Sequence, residues 1–189
     1  MRIAIAVGFV LGMVSSAFDA KAAERPQLIE QDTVRAEVSV ARSLAAIKSS
    51  AELRSHLNDA VAFDSPLAVL SDVNLNRFVA SLTFNERGLS GYSYLPLADL
   101  SASQAHDILA LFGVQRTTSM IADLRVESDL DKALMSGSYF VRGVEFSTKT
   151  RSMHKFSSSG EEGQDYDGYW CASRATCSRQ VGSICMSSC

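Results

Sequence analysis

The sequence lacks an excess of positive charge: 18 lysines and arginines are outnumbered by 21 aspartates and glutamates, for a net charge of −3. Proteins that bind DNA, RNA or anionic lipid surfaces usually carry a basic patch that attracts the phosphate groups. A mildly acidic chain has no overall excess of positive charge with which to attract phosphate groups. Nucleic acid is therefore not predicted as a partner.

The sequence is also poor in the residues and motifs of catalytic and metal sites. It has three histidines, His56, His106 and His154, and none belongs to the zinc-binding pattern H-E-x-x-H. The nucleophile motif G-x-S-x-G is absent, and its nearest approach, in residues 88–91, is more simply a turn. No cofactor or metal is predicted, and no catalytic residue is identified.

Long apolar runs are confined to the N-terminus, where Arg2 precedes an apolar stretch that lasts until Asp19. Ala20, Ala22 and Ala23 then supply the small residues around a signal peptidase site, which predicts cleavage after Ala22. An apolar stretch of about 15 residues is shorter than the roughly 20 needed to span a bilayer. Residues 1–22 are therefore predicted to be a cleaved signal peptide of bacterial type. The mature protein is expected to be secreted or periplasmic, without stable insertion in a membrane.

Cysteine is absent before position 171, which excludes a lipid-modified cysteine at the predicted cleavage site. The four cysteines are Cys171, Cys177, Cys185 and Cys189. Their spacing lacks the C-x2-C pairs of common structural zinc sites. An even number of cysteines in an exported chain is typical of disulfides. Two disulfides are therefore predicted, and the sequence leaves all three connectivities open.

Apolar residues recur at steps of three and four between residues 31 and 135, which is typical of amphipathic helices. Ser49 with Glu52 and Ser101 with Gln104 have the form of capping boxes, and Gly113 stands where a left-handed helix terminator is expected. The predicted helices cover about residues 32–48, 49–60, 72–82 and 101–112, with a short turn at 66–70 and a further helix near 121 or from 128.

Other segments are less regular. Residues 88–97 are predicted to be an ordered loop or a short extended piece, and residues 139–146 a short β-hairpin around Gly143. Residues 149–165 are rich in serine, glycine and charge, which predicts a flexible linker. The predicted fold class is mainly α, with about five to six helices in residues 23–148 and a disulfide-stapled tail at residues 166–189.

Three aromatic residues, Tyr166, Tyr169 and Trp170, stand at the start of this tail. One interpretation is that they form its small apolar core, because so short a segment has little else to bury. The other is that they form an exposed platform on which a partner's side chain or sugar ring stacks. The sequence leaves both interpretations open.

Three functional hypotheses follow from these features. The first is a non-enzymatic exported protein that binds a protein or an envelope component. The second is a precursor that releases its tail as an antimicrobial or signalling peptide. The third is a hydrolase whose site is assembled across helices from residues such as His106, Asp107 and Glu86, since a nucleophile and its base need not be neighbours in sequence. The lack of a reactive motif favours the first hypothesis.

Overall fold

The computed structural model describes residues 25–58, 64–136 and 164–189. The predicted signal peptide, the predicted hairpin around Gly143 and most of the predicted linker lie outside these residues. The α-helices of the described part are α1 (Arg25–Leu44), α2 (Ser50–Asn58), α3 (Asp72–Ser81), α4 (Ala102–Ala110) and α5 (Asp129–Met135). Its strands are β1 (Thr83–Asn85), β2 (Gly88–Ser93), β3 (Tyr166–Ser173) and β4 (Thr176–Cys185), with short 3-10 helices at Pro66–Val69, Leu95–Leu97 and Gln115–Met120. None of these described helices has the length and apolarity to cross a lipid bilayer.

The four strands form one antiparallel sheet with the order β1-β2-β4-β3. Strand β4 is an interior strand, because it pairs with β2 on one side and with β3 on the other. Gly91 lies opposite Cys185 and Ser93 lies opposite Ser183. The prediction of a mainly α fold is therefore wrong: residues 83–93 and the predicted tail together build a sheet beside the helices.

Residues 88–97 were predicted to be an ordered loop or a short extended piece, and the structure has strand β2 at Gly88–Ser93, which does not show the alternation of a half-buried strand. Its residues from Leu89 to Tyr92 are all buried, so apolar and small residues follow one another without a period of two. Gly91 fits this crowded position, since a Cβ there would lie only 3.1 Å from Thr83 Oγ1 and 3.3 Å from Ile184 O. The small residues that resemble a loop in the sequence are those that a buried strand needs.

The local helix signals are confirmed in α4. The Ser101 hydroxyl accepts the backbone N–H of Gln104, and the Gln104 side chain accepts the backbone N–H of Ser101. Gly113 has a φ of +68°, the left-handed conformation predicted after this helix. Helix α5 begins with an equivalent capping box in which Ser128 and Asp131 exchange hydrogen bonds.

The helices and the sheet share one hydrophobic core. Phe78 of α3 meets Tyr92 of β2 and Phe112 in edge-to-face contacts, with ring centroids 6.2 and 6.0 Å apart. Ile184 of β4 and Met186 are buried in the same cluster. The segment predicted as a tail therefore contributes side chains to the centre of the fold.

Candidate functional site

The structure contains two disulfides, which agrees with the predicted number. Cys171 of β3 is bonded to Cys189, and Cys177 is bonded to Cys185 within β4; the Cα–Cα separations are 5.7 and 6.0 Å. No cysteine is left as a free thiol. The pairing could not be read from the sequence, because it depends on how β4 bends.

Strand β4 bends back on itself between Cys177 and Cys185. Eight residues of a straight strand span about 26 Å, far more than the separation of a disulfide. The bend coincides with Gly182, which has a φ of +80°, and with an irregular β3–β4 register near Asp167 and Tyr169. Glycine tolerates this conformation because it has no Cβ. The bend therefore brings the two disulfides next to each other.

Residues 186–189, here called the C-terminal segment, are held against the sheet by hydrogen bonds to backbone oxygens and from backbone N–H groups. The Met186 N–H donates to Ser90 O at 2.9 Å, and the Ser188 hydroxyl donates to Leu89 O at 2.7 Å. The Ala175 N–H donates to Cys189 O at 2.7 Å. The C-terminal segment is thus an integral part of the sheet region.

A network of charged side chains also contacts the C-terminal segment, at Ser187. Asp165 is almost fully buried; it accepts the Ser187 N–H at 2.8 Å and forms an ion pair with Arg116 at 2.5 Å. Arg42 donates to the Ser187 hydroxyl at 3.1 Å. Burial lowers the pKa of Arg42, the Asp165 carboxylate raises it in part, and Arg116 and Arg87 lower it again. The Asp165 carboxylate therefore stabilises arginines that converge on the C-terminal segment.

A pocket of about 450 Å³ lies between the β1–β2 turn and the β3–β4 turn, and it is called the turn pocket below. The Cys171–Cys189 disulfide forms part of its wall, and Phe84 adds an apolar ring. Arg87 and Arg174 line it from the two different turns. The turn pocket therefore combines an apolar surface with two arginines and one carboxylate, that of Glu86.

The two arginines of the turn pocket are held differently. Arg87 donates to Ser188 O at 2.9 Å, and Asn85 donates to the same oxygen at 2.5 Å. Arg174 lies 3.5 Å from Glu86, and both of these side chains are largely exposed. An exposed ion pair of this kind contributes little free energy. A ligand carboxylate can therefore replace Glu86 as the partner of Arg174 at small cost.

The three residues of the predicted aromatic cluster differ in exposure: the two tyrosines are half-buried and the tryptophan is exposed. Tyr166 and Tyr169 are half-buried and meet edge-to-face, with ring centroids 6.3 Å apart. Gly168, with a φ of +78°, lies at the register shift between them. Trp170 follows Tyr169 directly, and successive strand residues point to opposite faces. Trp170 is 40% exposed. Partner binding by these three residues stays a prediction.

The residues of the hydrolase hypothesis do not lie together at one site. His106 Nδ1 lies 3.4 Å from Asp107 Oδ1 on α4, whereas Glu86 lines the turn pocket beside Arg174. The described lining of the turn pocket contains neither His106 nor Asp107. Nothing in this arrangement positions Glu86 to act with the histidine.

A contact that the sequence did not predict joins His56 Nε2 to Ser65 Oγ at 2.8 Å. Ser65 is buried, and its hydroxyl also accepts the Leu67 N–H at 3.3 Å as the cap of a 3-10 helix. The hydroxyl is thus occupied by capping, and the histidine contact connects α2 to the start of this helix.

The sequence predicted that the four cysteines pair, but it did not predict that Arg87 and Arg174 line one pocket. One signal was available: Glu86 and Arg87 stand between two short apolar runs and precede Gly88, which is typical of a two-residue hairpin turn. No sequence signal joins that turn to Arg174, which lies far along the chain. The chain matches no protein-family model, and no curated protein or solved structure shows significant similarity to it.

Proposed function

We propose that the protein is exported and acts as a non-enzymatic binding protein, which holds a carboxylate-bearing peptide in the turn pocket. The observation that carries the proposal is the convergence of Arg87 and Arg174 on one pocket beside the Cys171–Cys189 disulfide. Guanidinium groups are planar donors that match the geometry of a carboxylate. Phe84 offers an apolar contact for the rest of the peptide.

Export is supported by the disulfides and by the N-terminal sequence. Disulfides persist in oxidising compartments and are rare in reducing ones. We therefore infer that the peptide ligand is met in the periplasm or outside the cell, as part of a partner protein or of the peptide portion of the envelope. A partner protein and an envelope peptide would both present a carboxylate, and they differ in the groups next to that carboxylate.

Release of the tail as a free peptide is not proposed. Removal of residues 166–189 would take interior strand β4 away from β2 and would remove Ile184 and Met186 from the core. A segment that completes the sheet is poorly suited to be discarded after folding.

The test of the binding proposal uses a fluorescent acidic hexapeptide titrated into the oxidised protein, with the corresponding glutamine and asparagine peptide as ligand control. Arg174→Gln is expected to weaken binding of the acidic peptide about tenfold, which corresponds to a loss of about 1.4 kcal/mol. Arg179→Gln is the matched control, since Arg179 is exposed in the same hairpin but does not line the turn pocket. It should leave the affinity unchanged.

Equal affinities for the acidic and the amide peptide would contradict the proposal. So would equal effects of the two arginine substitutions. A parallel titration with purified cell-wall muropeptides distinguishes the two ligand sources, because only an envelope ligand should bind more tightly than the acidic hexapeptide. Export is tested separately: the intact mass of the exported protein should correspond to a chain that begins at Ala23 and contains no free thiol.

A further inference from the structure

The two disulfides lie side by side. The sulfur atoms of Cys171, Cys185 and Cys189 are all within 4.8 Å of one another, although Cys185 is bonded to neither of the other two. Each disulfide joins one buried cysteine to one half-buried cysteine: Cys185 and Cys189 are buried, whereas Cys171 and Cys177 are partly exposed. An external thiol therefore reaches each disulfide from one end only.

A second pairing is available within the same backbone. Cys171 and Cys177 are directly opposite each other in the β3–β4 register. The Cα atoms of opposite residues in antiparallel strands are about 4.5–5.5 Å apart, which is within the usual range for a disulfide. The sulfurs of Cys185 and Cys189 are already near neighbours. The pairing Cys171–Cys177 with Cys185–Cys189 thus needs little movement of the chain.

We propose that the two disulfides form a thiol-exchange site, at which a small external thiol attacks Cys177 and switches the protein to this second pairing. The external thiolate bonds to the Cys177 sulfur and releases the Cys185 thiolate. That thiolate attacks Cys189, which forms Cys185–Cys189 and releases the Cys171 thiolate. The Cys171 thiolate then attacks Cys177 in the mixed disulfide and expels the external thiolate. Two disulfides are present before and after, so the thiol is a catalyst and nothing is oxidised or reduced overall.

The switch changes what holds the wall of the turn pocket. In the first pairing Cys189 is bonded to β3 through Cys171, whereas in the second both disulfides are local. The hydrogen bonds from Asn85 and Arg87 to Ser188 O do not involve sulfur and remain in both states. Exchange therefore loosens one side of the pocket. This exchange involves the sulfur atoms alone and does not depend on the proposed ligand.

The test maps the disulfides of the full-length oxidised protein after incubation with less than one equivalent of reduced glutathione, followed by an acid quench. Trypsin cuts after Arg174 and Arg179 and cyanogen bromide cuts after Met186, so every cysteine ends in a different peptide. The expected result is a new pair of linked peptides, 171 with 177 and 185 with 189, with no increase in total free thiol. A urea-denatured sample is the control, and it should yield all three pairings.

Persistence of the Cys171–Cys189 disulfide, with glutathione trapped on Cys177 and Cys185 left as a free thiol, would overturn the inference. Appearance of all three pairings in the proportions of the denatured control would overturn it as well. The fold would then not select which cysteines pair.

A variant gives a second readout. Cys177→Ser leaves the Cys185 thiol beside the Cys171–Cys189 disulfide, and exchange should transfer the free thiol to Cys171. Since Cys185 is buried and Cys171 is partly exposed, iodoacetamide is expected to label Cys171. Labelling of Cys185 alone, or no labelling of a folded variant, would contradict the proposal. The glutathione experiment stands on its own if this variant does not fold.

Discussion

The Asp131 carboxylate is buried and accepts hydrogen bonds from the starts of two helices. Its donors are the backbone N–H groups of Ser103, Glu127 and Ser128, at 2.7, 3.0 and 2.8 Å, and the Ser128 hydroxyl at 2.8 Å. Burial by itself would raise the pKa of Asp131. The hydrogen bonds outweigh that effect and hold its pKa well below the usual range. One side chain therefore ties the beginning of α5 to the beginning of α4.

Asp131→Asn is expected to reduce the free energy of unfolding by roughly 1–3 kcal/mol at neutral pH, because the amide cannot accept all of these donors. Since the folded pKa lies below the unfolded one, the stabilisation is complete above the unfolded pKa and is lost as the pH falls through the folded pKa. Urea unfolding of both proteins at several acidic pH values measures this, and the variant should show a flatter dependence on pH.

The neighbouring Asp129 provides the control for this prediction. Its side chain is almost fully exposed, and it pairs with Lys132 at the surface. Asp129→Asn should leave both the urea midpoint and its pH dependence nearly unchanged. Equal losses in the two variants would mean that the effect comes from helix α5 as a whole and not from the buried hydrogen bonds.

At the scale of elements, α1 packs closely against the turn that ends α4. A Cβ on Gly113 would lie 2.6 Å from Ala41 O and 2.8 Å from Arg42 Cα, and both atoms belong to the backbone of α1. The Ile47 N–H also donates to Leu111 O at 2.8 Å across the same contact. The lack of a side chain at Gly113 therefore permits both the left-handed turn after α4 and the close packing of α1 against that turn.

Gly113→Ala is expected to destabilise the protein by about 2–4 kcal/mol, since the left-handed conformation and the clash with α1 both act against the methyl group. Gly168→Ala is the matched control. Gly168 has a similar φ of +78°, but a Cβ there would meet nothing within 4 Å. Thermal unfolding of both variants separates the two contributions, and equal losses would show that the contact with α1 contributes nothing.

The elements that the sequence predicts are those whose signals are local. The predicted capping box of α4 depends on two residues three positions apart, and the left-handed Gly113 follows its helix directly. Strand β2 has no comparable signal, because both of its faces are covered by residues from elsewhere in the chain. Its identity depends on a partner, β4, that lies more than ninety residues later in the sequence.

At the scale of the molecule, β4 takes part in the sheet, in the core and in the Cys177–Cys185 disulfide. Ile184 is fully buried, whereas Val181 of the same strand is largely exposed. We expect Ile184→Ala to reduce the free energy of unfolding by about 2–5 kcal/mol, through lost burial and the cavity that remains. Val181→Ala should have little effect. Urea unfolding under oxidising conditions measures both, and similar small effects would show that β4 does not support the core.

The candidate site could be predicted from the sequence only in part, because it depends on contacts between distant segments of the chain. The sequence predicted that the cysteines would pair, because their even number in a chain predicted to be exported is enough for that inference. It did not identify the turn pocket, because Arg87 and Arg174 meet only when the sheet places their two turns together. The neighbouring positions of the two disulfides likewise depend on the bend at Gly182.

The interior position of β4 also sets an order of events during synthesis. A polypeptide emerges from the ribosome, and from an export channel, with its earlier residues first. Strand β2 is therefore synthesised well before β4, the strand that pairs with its edge. Gly91, for example, is made long before its partner Cys185. During that interval β2 presents unpaired N–H and C=O groups, which are open to pairing with other chains. A chaperone that holds the nascent chain until β4 has emerged would prevent such contacts.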